Sequence, residues 1–117
     1  MASPILAPEL EPMLWQNMLD RINDSGCRPI VRLAAKNIVV FLSKDEVFAE
    51  PELFLTDNGL QLIWNCNGVN IIVTVTGTTG ISAFIKFSND DTCYFSFGLN
   101  DEEELEKLKQ IIKESCQ

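Results

Sequence analysis

LQLIWNCNGVNIIVTV, residues Leu60 to Val75, reads as two alternating apolar runs joined at Asn67-Gly68. Alternation is the period of a half-buried strand, and Asn-Gly between two such runs signals a two-residue type I′ hairpin. A two-residue loop fixes the register by making Cys66 and Val69 the closing pair. Counting outward, Trp64 faces Ile71, Leu62 faces Val73 and Leu60 faces Val75, an apolar set suited to a core. The other face receives Asn65 with Asn70, Ile63 with Ile72 and Gln61 with Thr74, polar except at its centre.

The neighbouring residues extend this hairpin into a sheet. Pro51-Glu52 introduces a short run, Leu53 to Thr56, and Asp57-Asn58-Gly59 turns it toward Leu60. Strands are expected over Leu60 to Asn65, Val69 to Thr76, Ile81 to Ser88 and Thr92 to Leu99, with Gly77 to Gly80 and Asn89-Asp90-Asp91 as turns. Connections this short favour an antiparallel meander. A three-residue loop at Gly77 to Thr79, or a bulged equivalent, puts Ile81, Ala83, Ile85 and Phe87 on the core face and Phe84 opposite Ile72. Carried across Asn89 to Asp91, the register adds Cys93, Phe95 and Phe97 to the core and sets Ser96 beside Phe84.

Helical periods flank the strands. From Glu9, Leu10, Leu14, Met18 and Ile22 recur every four positions, with Pro12 in the first turn and Asn23 to Gly26 ending the helix. A second helix is expected from Pro29 to Ser43, its apolar side carried by Val31, Ala34, Ala35, Ile38, Phe41 and Leu42. The last helix follows Asn100 as N-cap, with Glu103 completing a capping box, an acidic first turn and a stripe of Leu105, Leu108, Ile111 and Ile112. The expected fold class is α+β: two N-terminal helices, a five-stranded antiparallel meander sheet and a C-terminal helix. Residues 1–8 read as a flexible leader and 9–117 as a single domain.

Composition narrows the function classes. The chain of 117 residues is 46% hydrophobic and 22% charged, as globular domains are, and runs such as Ile38 to Leu42 are too short to span a bilayer. MASPILAPEL lacks the basic start and sustained apolar core of a secretory signal, which points to the cytoplasm. The formal net charge is −8, with Asp101 to Glu104 as an acidic cluster, and a field of that sign repels nucleic acid and anionic membranes. It favours solubility, or attraction to a basic partner. Cys27, Cys66, Cys93 and Cys116 form no C-x-x-C pair and read as small buried thiols rather than a disulfide or metal site.

No catalytic constellation emerges. The chain has no histidine to serve as base or ligand, and Gly77-Thr78-Thr79-Gly80 lacks the lysine and helix of a phosphate loop. Cys27 beside Arg28 is the one cysteine with a basic neighbour, and it sits in an inter-helix turn. Trp15 and Trp64 read as core anchors. No enzyme activity, cofactor or metal is expected.

The stretch Pro51 to Trp64, PELFLTDNGLQLIW, preceded by a helix ending in Phe41-Leu42, resembles a set of small uncharacterised bacterial proteins. In these a proline-led strand and a glycine turn lead into a Q-L-x-W strand. The resemblance covers about the middle half of the chain and implies no activity. Where that pattern places outward glutamates, this sequence has Ile63 and Ile72.

The expected site is therefore the outer sheet face: Ile63, Ile72 and Phe84 in a row, bordered by Asn65 and Asn70. A contiguous apolar row on neighbouring strands is covered by a helix or the leader, is a surface for a partner or a second copy, or reflects a slipped register. The leading expectation is a non-catalytic binding protein of antitoxin, immunity or inhibitor type, its partner another protein with basic character, with a homodimer also open. The alternative is a small-ligand-binding regulatory domain with a pocket between helices and sheet near Trp64.

Overall fold

A computed structural model describes residues 16–43 and 50–116, and they form an α+β fold of three helices and a five-stranded antiparallel sheet. The elements in chain order are α1 (Gln16–Asn23), α2 (Pro29–Ser43), β1 (Glu52–Leu55), β2 (Leu60–Cys66), β3 (Val69–Val75), β4 (Ile81–Lys86), β5 (Thr92–Phe97) and α3 (Glu102–Ser115). The expected leader and the expected first turns of α1, with Leu10, Pro12, Leu14 and Trp15, lie outside the described residues.

The strands lie in sequence order, β1-β2-β3-β4-β5, as an uninterrupted meander. At its centre Asn67 and Gly68 both adopt positive φ, 54° and 83°, the backbone a type I′ turn requires. The resulting register pairs Cys66 with Val69, Trp64 with Ile71, Leu62 with Val73 and Leu60 with Val75. Phe84 lies opposite Ile72. One expected neighbour is corrected: Tyr94, not Ser96, faces Phe84, and Ser96 faces Ser82. The loop is Ser88 to Asp90, closed where the Phe87 N–H donates to the Asp91 carbonyl at 2.8 Å, and Asp90 takes φ +72°. Moving the loop back by one residue shifts every β4–β5 partner by two. Inside and outside are thereby preserved while the neighbour changes.

The three helices share one core with the inner sheet face. Met18 and Ile22 of α1, Val31, Ala34, Ala35, Ile38, Val39 and Leu42 of α2, and Leu105, Leu108 and Ile112 of α3 pack with Leu60, Leu62, Trp64, Ile71, Val73 and Ile85. Each fully buried large aliphatic side chain contributes about 1.5–3 kcal/mol relative to exposure. Pro29 opens α2 at a position where its missing N–H costs nothing, and the Arg28 carbonyl accepts from Val31 and Arg32 at 3.0 Å each. The start of α2 is tied to the sheet, since the Arg28 guanidinium donates to the Thr76 carbonyl at 3.1 Å and the Cys27 thiol to that of Gly59 at 3.7 Å.

Two expectations about the C-terminal region are overturned. The N-cap of α3 is Asp101, not Asn100, and it makes no side-chain cap hydrogen bond. Its carboxylate accepts instead from the Gly98 N–H at 2.8 Å, closing the turn out of β5. Cys66 and Cys116 form a disulfide, while Cys27 and Cys93 are free and half-buried. The bond fastens the end of α3 to the β2–β3 turn, where Asn67 Nδ2 also donates to the Ser115 carbonyl at 2.8 Å.

Candidate functional site: the outer sheet face

Side chains alternate across a strand, so the residues that do not enter the core line the opposite sheet face. Following the pairs outward gives one row running through all five strands: Glu52, Ile63, Ile72, Phe84 and Tyr94. From Ile63 to Tyr94 it crosses three strand intervals, about 14 Å at the usual spacing. Ile63 and Ile72 are half-buried between their neighbours, Phe84 is 38% exposed and Tyr94 67%.

The rows on either side frame it. Toward the Asn67-Gly68 turn stand Asn65, Asn70, Lys86 and Thr92. On the other side Phe54, Gln61, Thr74, Ser82 and Ser96 lie in register, with Gln61 Nε2 donating to Thr74 Oγ1 at 3.4 Å and Phe54 47% exposed. The structure thus brings together all five expected site residues, with Asn65 and Asn70 directly opposite each other beside the apolar row. Tyr94 and Phe54 were absent from the expectation. Tyr94 was hidden by the loop position, and Phe54 faces outward because Leu53 turns toward the core.

The charge of this face is not that of the molecule. Its outward row positions hold one acid, Glu52, and one base, Lys86, whose ammonium lies 3.8 Å from the Asp90 carboxylate. The acidic cluster Asp101 to Glu104 belongs to the start of α3, in the helical layer on the other side of the sheet. The row itself presents apolar and amide groups, and the negative field of the molecule reaches it only at longer range.

The helical layer offers different features. Trp64 is 2% exposed and packed in the core. A cleft of about 660 Å³ between α2 and the start of α3 is lined by Val40, Phe41, Leu99 and Leu105 with Glu102 and Glu106 at its rim. Another, of about 470 Å³, lies where Cys27 and Arg28 meet the Thr56 to Gly59 turn. Ile30, Leu33 and Val40 form an exposed stripe on α2, interrupted by Asn37. Among the described residues no group of three or more Cys, Asp or Glu could hold a metal ion, and no helix is long and apolar enough to cross a membrane.

Comparison with known proteins finds no family model, no curated protein and no solved structure that matches this chain.

Proposed function

We propose that this chain is a non-catalytic protein of bacterial or phage origin that works by binding another protein through its outer sheet face, as antitoxins, immunity proteins and inhibitors of defence systems do. The observation that carries the reading is the apolar row Ile63, Ile72, Phe84 and Tyr94 on four neighbouring strands, with all three described helices packed on the opposite face. Soluble domains rarely leave a contiguous apolar strip of this kind without a use for it. The aromatic pair Phe84 and Tyr94 at its β5 end supplies the large apolar side chains that interfaces favour, and the flanking Asn65 and Asn70 suit a polar rim.

The formal charge of −8 supports a basic partner, drawn in by long-range attraction and held by apolar contact. Residues of this chain would bind and orient that partner, and no chemical step is assigned to them. The Cys66–Cys116 bond favours a compartment oxidising enough to keep it, so in this reading the expected cytoplasmic placement gives way to one where that bond survives.

Comparative capture tests the reading. Immobilised wild-type protein should retain a partner that Ile72→Glu loses, with both proteins showing the same far-UV spectrum and melting temperature within a few degrees. Retention of the same partner by Ile72→Glu in equal amount overturns it. Capture should also weaken as salt is raised, because a charge-steered encounter is screened.

A further inference from the structure

We infer that two copies of this chain pair antiparallel along β5, joining their sheets edge to edge about a two-fold axis at Tyr94. The hydrogen-bond phase of the meander leads there. The Thr76 N–H donates to the Gly80 carbonyl at 2.8 Å and the Phe87 N–H to that of Asp91 at 2.8 Å. Bonded and non-bonded pairs alternate in an antiparallel ladder, so Ser82, Phe84 and Lys86 spend their backbone groups on β3, and Ile81, Ala83 and Ile85 theirs on β5. Phe97, Phe95 and Cys93 are consumed in return. Thr92, Tyr94 and Ser96 are left with N–H and C=O directed away from the sheet, and among the described residues nothing pairs with them.

The two edges of the sheet differ in a way that points to β5. At β1 the strand is four residues long, follows Pro51, carries Glu52, and has its Leu53 carbonyl occupied by the Arg21 guanidinium at 3.3 Å. Those are the usual devices that keep an edge from pairing. β5, TCYFSF, has six residues, no charge and no proline, and three of its residues are aromatic. It is an unprotected edge of high strand propensity.

A second copy fits this edge by its own symmetry. Set antiparallel about Tyr94, Thr92 meets Ser96 of the partner subunit and Tyr94 meets the partner's Tyr94, so each open donor and acceptor finds another. No charged side chain lies on the strip, which matters for two chains that each carry −8. The outward row Ile72, Phe84 and Tyr94 then continues across the axis, and closed two-fold pairing leaves no further β5 edge for growth. This inference does not rest on partner capture by the sheet face, and each can fail alone.

Sedimentation equilibrium of the full chain under non-reducing conditions provides the test. Wild type should reach twice the 13.1 kDa chain mass in the micromolar range, and the dimer should strengthen as salt is raised, opposite to capture of a basic partner. Tyr94→Pro removes one outward N–H without touching the internal ladder and should give the monomer mass, while Ile72→Glu stays dimeric. Tyr94→Lys and Tyr94→Glu, each alone, place like charges opposite each other at the axis and should be monomeric. Mixed in equal amounts they should recover a dimer, which keeps the test intact if Tyr94→Pro misfolds. A monomeric wild type, or a mixture that stays monomeric, overturns the inference. So does pairing that survives Tyr94→Lys and Tyr94→Glu alike, which would place the contact elsewhere.

Discussion

Phe84 and Tyr94 stand directly opposite each other across the β4–β5 pair, both on the outer face and both exposed. The pair belongs to the class in which the two residues exchange no backbone hydrogen bonds and their side chains come closest. Replacing each by alanine, singly and together, should reveal a coupling of about 0.2–1 kcal/mol by urea unfolding. A coupling indistinguishable from zero would mean the two rings are independent at the surface.

That relationship also marks the limit of sequence reading. Asn67-Gly68 determines its hairpin locally, because both residues tolerate positive φ and a two-residue loop admits one register. Every β2–β3 pair could therefore be counted, and Ile63, Ile72 and Phe84 fell in line. Ser88 to Asp91 contains four residues able to turn, and nothing local says that Asp90 rather than Asp91 closes the loop. The disulfide was illegible for another reason. Cys66 and Cys116 are 50 residues apart, and their meeting depends on the direction in which α3 crosses the sheet. That direction comes from packing Leu105, Leu108 and Ile112, not from any motif.

Ile71 and Ile72 are adjacent in β3 and differ in exposure, Ile71 lying in the core and Ile72 on the outer face. Ile71→Ala should cost about 2–5 kcal/mol of stability, as core truncations do. Ile72→Ala should cost under about 1 kcal/mol while weakening partner capture. Equal losses from the two substitutions in denaturant titrations would contradict the assignment of faces.

Gly59 and Gly77 make a second contrasting pair. A Cβ at Gly59 would collide with the Val75 carbonyl oxygen, whereas one at Gly77 would meet nothing within 4 Å. Gly59→Ala should therefore destabilise by about 1–3 kcal/mol, the usual cost of overpacking, and Gly77→Ala should leave the melting temperature nearly unchanged. Comparable melting temperatures for the two variants would remove the close approach between the β1–β2 turn and β3.

Reduction should act on the fastening of α3. Closing a loop with 50 residues of separation typically stabilises by about 2–4 kcal/mol, largely through the unfolded chain. Cys116→Ser should lower the melting temperature, and added dithiothreitol should lower that of wild type to the same value while leaving the variant unaffected. A wild-type melting temperature insensitive to reductant would show that the bond contributes nothing to stability.

If a partner protein sits on the row Ile63, Ile72, Phe84 and Tyr94, those side chains are shielded in the complex. Hydroxyl-radical footprinting of the wild-type protein, alone and with its captured partner, reads the exposure of these side chains directly. Ile72, Phe84 and Tyr94 should lose reactivity in the complex while Leu33 and Val40 on α2 keep theirs. Protection of Leu33 and Val40 with an unchanged outer sheet face would contradict it.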